Sequence, residues 1–152
     1  MKHGVFTIVT TSIFQTKKIA KQLGEEIIKS GVFPVVIALN GDLGAGKTTF
    51  VKGLAQGLGI KETVISPTFI LIGAYKKNSQ ITLYHVDPYR LESVHSLLPD
   101  IKELLTEKNS VIAIEWAERL GDVLPKDTVW IDLKYKGENK REIIIKFASI
   151  EP

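Results

Sequence analysis

The sequence predicts an α/β fold in three layers, with a mixed sheet that has a parallel core and antiparallel hairpins. Two short runs, Val35-Val36-Ile37-Ala38-Leu39 and Val111-Ile112-Ala113-Ile114, are apolar without interruption. A strand apolar on both faces is what a sheet covered by helices on each side requires. Segments of helical period lie between the strand-like runs, the alternation that builds α/β sheets. Near the end, Val129–Tyr135 and Ile143–Phe147 flank the polar loop Lys136–Lys140, which reads as a terminal hairpin.

Composition bounds the chemistry. The 152 residues carry no repeat, linker or low-complexity tract, so residues 1–152 are expected to form one domain. The absence of Cys removes disulfides, thiolate metal sites and Cys nucleophiles, and fits a reducing compartment. No apolar run approaches the ~20 residues needed to cross a bilayer, and the N-terminus lacks a secretion signal. A soluble, cytoplasmic protein is expected. The net charge of +3 divides unevenly: residues 1–76 carry 9 basic and 4 acidic side chains, residues 77–152 carry 11 and 13. A mildly basic first half suits a polyanion such as a nucleotide, but a dedicated nucleic-acid binder would show a stronger basic face.

The elements follow in order. Phe6–Val9 alternates enough for a short first strand. Thr11 or Ser12 can cap a helix running to about Ser30, with Ile19, Ala20, Leu23, Ile27 and Ile28 on one face and Gly31 as its stop. The first buried run comes next, and a second helix is expected from Lys47 to about Leu58, ended by Gly59. Phe69–Tyr75 and Ile81–Val86 read as a hairpin joined by Lys-Asn-Ser, and Leu97–Leu105 as helical.

Directly after the first buried run stands Gly41-Asp42-Leu43-Gly44-Ala45-Gly46-Lys47-Thr48, a match to G-x-x-x-x-G-K-[ST] between a strand and a helix. Glycines let the backbone curl so that successive N–H groups face phosphate oxygens. The following helix N-terminus adds partial positive charge. Lys47 can reach the β- and γ-phosphates, and the Thr48 hydroxyl can hold Mg²⁺. The expected fold is therefore a P-loop NTPase-like sandwich. Such a site also needs carboxylates, and two strands end in acids, Asp87 and Glu115. Ligands of open α/β sheets sit at the carboxyl ends of strands, so one acid would ligate the metal and the other orient or deprotonate the attacking water. Spacing alone leaves that assignment open. Thr68, in Ser66-Pro67-Thr68-Phe69, suits a switch segment that senses a γ-phosphate, and spacing equally fits a plain turn entering the Phe69 strand. His85 reads as a packed strand histidine and Tyr89 as a core residue. Arg90 suits phosphate, a partner carboxylate or a surface ion pair.

Four segments together resemble the TsaE family (also called YjeE). They are Asn40-Gly41-Asp42-Leu43-Gly44-Ala45-Gly46-Lys47-Thr48-Thr49-Phe50, Ser66-Pro67-Thr68-Phe69, His85-Val86-Asp87-Pro88-Tyr89-Arg90-Leu91 and Ile114-Glu115-Trp116. Thr16 to Gly24 matches the family's upstream Thr and helix, and Arg141 its hairpin Arg. The resemblance implies a bacterial ATPase of tRNA threonylcarbamoyladenosine formation with a P-loop sheet and added antiparallel strands. Its members hydrolyse ATP weakly alone and work with TsaB-like and TsaD-like partners, which bring in tRNA indirectly. In the roles it implies, Leu43 to Thr48 wrap the phosphates, with Thr49 following, and Thr48 and Glu115 hold Mg²⁺. Asp87 acts near the attacking water and Lys47 is the other catalytic residue, at the phosphates, while Trp116 and Arg141 lie beside the nucleotide. One departure stands out: Pro99-Asp100 replaces the Leu-Gly region that the family usually shows, and Pro disfavours a continuous helix there.

Two other functions share the loop. A small-molecule kinase needs an acceptor pocket and often an Arg-rich lid, but no Arg lies between Arg90 and Ser110. A GTPase switch commonly reads guanine with N-K-x-D, and Asn139-Lys140-Arg141-Glu142 misses that pattern by its last residue.

Overall fold

The computed structural model describes residues 2–42, 44–65, 72–78, 80–88 and 91–149. The elements are β1 (Lys2–Thr10), α1 (Ile13–Ser30), β2 (Val35–Asn40), α2 (Lys47–Gly57), β3 (Ile72–Lys77), β4 (Ile81–Val86) and α3 (Leu91–Leu104). Then come β5 (Ser110–Glu115), two short 3-10 turns (Ala117–Arg119 and Gly121–Val123), β6 (Val129–Tyr135) and β7 (Arg141–Ser149). Seven strands form one sheet in the order β1-β7-β6-β2-β5-β4-β3. Its core is parallel, with β2 between β5 and β6, and β4 beyond β5. Antiparallel pairing adds β3 on one side and β7 with β1 on the other. The expected mixed α/β sheet is present, with both hairpins.

Alternation along the buried strands separates the two helical layers. Ile37 and Leu39 of β2, with Val111 and Ala113 of β5, face Ala20 and Ile27 of α1 and Phe50, Val51 and Leu54 of α2. Val36, Ala38, Ile112 and Ile114 face Leu97 and Ile101 of α3 and the residues of the 3-10 turns. Among the described residues no helix is long and apolar enough to cross a membrane.

Three expectations change. The first strand is longer than Phe6–Val9, because nine registered pairs with β7 hold it, helped by Phe6 stacking on Phe147 at 5.6 Å. Helix α3 starts before Leu97 and continues through Pro99. Proline inside a helix costs ~3 kcal/mol, mainly through a lost hydrogen bond and a clash with the carbonyl four residues back. That carbonyl belongs to His95, and His95 and Pro99 both lie on the exposed side of the helix, where losing a backbone partner costs least. Leu97 and Ile101 are buried on the opposite side, and each such burial offsets roughly 1.5–3 kcal/mol. The third change concerns the terminal hairpin, since β6 also pairs in parallel with β2. Part of one expected strand, residues 69–71, lies outside the described residues.

Helix α1 begins on Ser12, whose hydroxyl accepts from the Gln15 N–H at 3.1 Å, while Gln15 Oε1 accepts from the Thr11 N–H at 2.7 Å. This is a capping box shifted by one residue. Gly31 closes the helix at φ 65°, its N–H reaching Ile27 O. Helices α1 and α2 then meet backbone to backbone. A Cβ on Gly57 would lie 2.0 Å from Lys21 O, and one on Gly53 2.5 Å from Lys17 O. Alanine would normally strengthen a helix by about 1 kcal/mol over glycine. Here the neighbour is backbone on both sides and cannot yield, so overpacking wins. Gly57→Ala should lower stability by roughly 2 kcal/mol net, read as a fall of about 5 °C in Tm. A Tm at or above that of the parent would refute the contact.

Candidate functional site

The 41–48 loop leaves the carboxyl end of β2, which is hydrogen-bonded on both edges and buried on both faces. Asn40 ties three chain segments together there. Its Nδ2 donates to Asp132 Oδ1 at 3.1 Å, and its Oδ1 accepts from the Glu118 N–H at 3.1 Å. Gly41, Gly44 and Gly46 take φ of 153°, 81° and 105°, in the half of conformational space that side chains disfavour. At Gly41 a Cβ would also meet Leu133 O at 2.6 Å. Gly46 begins α2 and offers no side chain to the first N–H groups of that helix.

Lys47 is buried and folds back on the loop. Its Nζ donates to Gly41 O, and to Asp42 O at 3.2 Å, and lies 3.6 Å from the centroid of the Trp116 ring. Burial lowers its pKa below the ordinary lysine value, and the nearby Glu115, Glu118, Asp87 and Asp42 oppose that shift. Trp116 leaves β5 in the left-handed region at φ 57°, a costly conformation for a bulky residue. Arg119 stacks on the same ring at 4.8 Å and donates to Pro88 O at 3.3 Å.

Behind the loop runs a buried polar chain. Thr48 Oγ1 donates to Glu115 Oε2 at 3.0 Å, and Glu115 Oε2 lies 2.5 Å from His85 Nε2. His85 is 0% and Glu115 3% exposed, so a medium of low polarity strengthens both contacts. His85 Nδ1 has no hydrogen-bond partner among the described residues. Arg141, at the start of β7, reaches the loop from the other side and donates to Gly44 O and Ala45 O.

These groups surround a cavity of about 640 Å³, within the range that holds a small ligand. Gly44, Gly46, Lys47, Thr48 and Thr49 line it from the loop and α2, and Asp87, Glu115 and Trp116 from the strand ends. Arg141 lines it from the terminal hairpin. Nine sequence-predicted residues thus converge. Gly41 and Asp42 turn carbonyls to Lys47, and Ala45 turns its methyl into the core, so these three do not line the cavity. Leu43, the 66–69 segment with Thr68, Tyr89 and Arg90 lie outside the described residues. Sequence reasoning missed Ser12, Ile13 and Thr16 of α1 and Glu138 and Asn139 of the β6–β7 turn as wall residues. Sequence reading marks Ser12 as a cap, Thr16 through the family resemblance and Asn139 in a pattern that misses guanine readout, and puts none of them in a cavity wall. Nor did it see that His85 braces Glu115, for which no sequence signal exists across thirty positions.

Chemically, the site offers backbone N–H groups and a cation for an anion, with Thr48 and Glu115 as oxygen donors suited to a hard divalent cation. Among the described residues no three His, Asp or Glu side chains group to hold a metal unaided. A cation here would also need oxygens from a bound phosphate or water. Replacing His85 by Leu would leave buried Glu115 short of one partner. His85→Leu should cost about 2–3 kcal/mol in urea denaturation, and His85→Gln, with an amide in place of the ring, should recover part. Equal stability of both variants with the parent would refute the brace.

Residues 10–143 match the family described as threonylcarbamoyl adenosine biosynthesis protein TsaE. The tRNA threonylcarbamoyladenosine biosynthesis protein TsaE of Treponema pallidum is 44% identical over 72% of this chain and 80% of the relative. The protein of the same name from Bacillus subtilis is 43% identical over 85% of this chain and 77% of its own length. The crystal structure of Bacillus subtilis YdiB superposes with a TM-score of 0.73 at 32% identity, covering 98% of this chain and 89% of that one. With a cavity built on the loop, and relatives this similar over most of their length, the chain belongs to the TsaE family.

Proposed function

We propose that this chain is a single-domain, cytoplasmic, Mg²⁺-dependent ATPase whose ATP cycle serves the complex that makes threonylcarbamoyladenosine in tRNA. The observation that carries this reading is convergence on one cavity. Lys47 and Thr48 of the loop, Asp87 after β4 and Glu115 at the end of β5 all line it, although β4 and β5 are far from the loop in sequence. The tRNA product comes from the family and from the names of its members.

The residues divide the work. Loop N–H groups and the start of α2 bind the phosphates, and Lys47 exchanges the carbonyls of Gly41 and Asp42 for phosphate oxygens. Burial lowers its pKa, so an anion placed beside it would favour the charged form. Thr48 and Glu115 would hold Mg²⁺, which when bound neutralises charge on the phosphates. Asp87 orients the attacking water. Trp116 covers the nucleotide from the side where it already stacks on Lys47. The cavity, about 640 Å³, is large enough for a nucleotide. The partners are proteins of the TsaB and TsaD kinds, and tRNA is met through them.

Calorimetry with Mg²⁺ and ATP tests the site. Lys47→Ala should weaken binding or turnover by roughly a hundredfold, in line with loss of a group that acts on developing charge. Unchanged values would remove the loop from the reaction. Glu115→Ala should weaken binding in Mg²⁺ but not in EDTA; equal loss in both would shift the metal to Asp87. Turnover should be low alone and rise on adding TsaB-like and TsaD-like proteins. Preference for GTP, or efficient phosphorylation of a free metabolite, would overturn the proposal.

A further inference from the structure

We propose that Arg141 is a positioning residue, whose single guanidinium locks the 41–48 loop and the β6–β7 turn together and so presets the shape of the phosphate cradle. The proposal rests on the reading that the loop binds a nucleotide. A cradle needs its N–H groups turned inward. Because a peptide unit is planar and trans, each inward N–H has the preceding carbonyl pointing outward. Those outward carbonyls must find donors or water.

Arg141 supplies the donors. Its Nε donates to Ala45 O at 3.2 Å and one terminal nitrogen to Gly44 O at 3.2 Å. The other terminal nitrogen donates to Gly137 O at 2.9 Å and Lys140 O at 3.0 Å. Fixing Ala45 O fixes the direction of the Gly46 N–H, which belongs to the same peptide unit. Fixing Gly44 O orients the Ala45 N–H, which closes the loop's own turn on Asp42 O at 3.0 Å. The other pair of bonds holds the turn that carries Glu138 and Asn139, which also line the cavity.

The guanidinium is itself held. It stacks on Tyr135 at 4.7 Å, and Tyr135 is its cross-strand partner in β6. On the other side Arg141 pairs with Thr10 of β1. Four of its five N–H groups are thus committed to backbone carbonyls, in a plane fixed by an aromatic ring. A group so committed shapes the loop and does not chase the ligand. Lysine cannot replace it, because an ammonium is a point charge with no planar fork to span two segments.

The test uses the full chain with Arg141→Lys, Arg141→Gln and Arg141→Gly. Amide hydrogen exchange of the ligand-free protein should quicken by at least roughly tenfold at the hydrogen-bonded amides of Ala45 and Lys140 in all three, while β2 and β5 stay at parental rates. Affinities for ATP and ADP should fall by the same factor, roughly tenfold for the lost charged hydrogen bonds. Millimolar guanidinium should restore part of the affinity in Arg141→Gly and none in Arg141→Lys. Unchanged exchange in the loop would overturn the proposal. So would an ATP loss several times the ADP loss, since that marks direct contact with the terminal phosphate. The exchange readout needs no ligand, so it stands apart from the ATPase reading. Parental protein that binds neither nucleotide would sink that reading alone.

Discussion

Strand β2 is the constraint from which the rest follows. Its residues 36–39 are buried on both faces, and both of its edges are hydrogen-bonded, to β5 and to β6. A strand held on four sides cannot shift register without moving apolar side chains into the wrong layer. Its carboxyl end is therefore a fixed point, and the 41–48 loop starts from it. The flanking strands bring their own ends to the same place, so Glu115 at the end of β5 and Asp132 in β6 arrive beside Leu39 and Asn40 by register alone. Chemistry at this edge of the sheet is inherited from a hydrophobic arrangement with no chemistry of its own.

The loop adds a second requirement, because its outward carbonyls must find partners. Two cations divide that task. Lys47 takes the carbonyls of Gly41 and Asp42 from within, and Arg141 takes those of Gly44 and Ala45 from behind. Their commitments differ in kind. Lys47 is a flexible point charge in a buried place, with its pKa pushed down, so a bound anion would relieve it. Arg141 is planar, stacked and spread over two chain segments, and suited to stay. The carboxylate side shows the same economy: Glu115 is shared between Thr48 and His85, so its orientation is set before any ligand arrives.

Much of this was legible in order along the chain. The apolar runs of β2 and β5 announced strands covered on both faces, and the loop motif marked the end of β2 where the cavity lies. Ser12 and Gly31 marked the ends of α1 by their own local chemistry. Asp87, Glu115, Trp116 and Arg141 were picked out one by one, and all four line the cavity. What escaped were relations. The glycines of α2 look like poor helix residues until α1 is seen touching them at Gly53 and Gly57. Pro99 looks like a helix break until its exposed side and the buried Leu97 and Ile101 are placed together. The role of β1 was underread because its alternation is weak, with Val5, Phe6 and Val9 all half exposed or more; strand pairing, not burial, gives it length.

Sequence by itself determined the class of fold, the loop and the kinds of groups a phosphate site needs. Those depend on local rules: periodicity, backbone freedom at glycine, and residue types that cap or end an element. Only the tertiary structure decided who meets whom. His85 against Glu115, Asn40 between Asp132 and the backbone of Glu118, and Arg141 against the loop are pairs thirty to nearly a hundred residues apart. No local preference encodes such pairs. They arise when strand register and helix contact bring buried polar groups together, and each group must then find a partner or leave its desolvation unpaid.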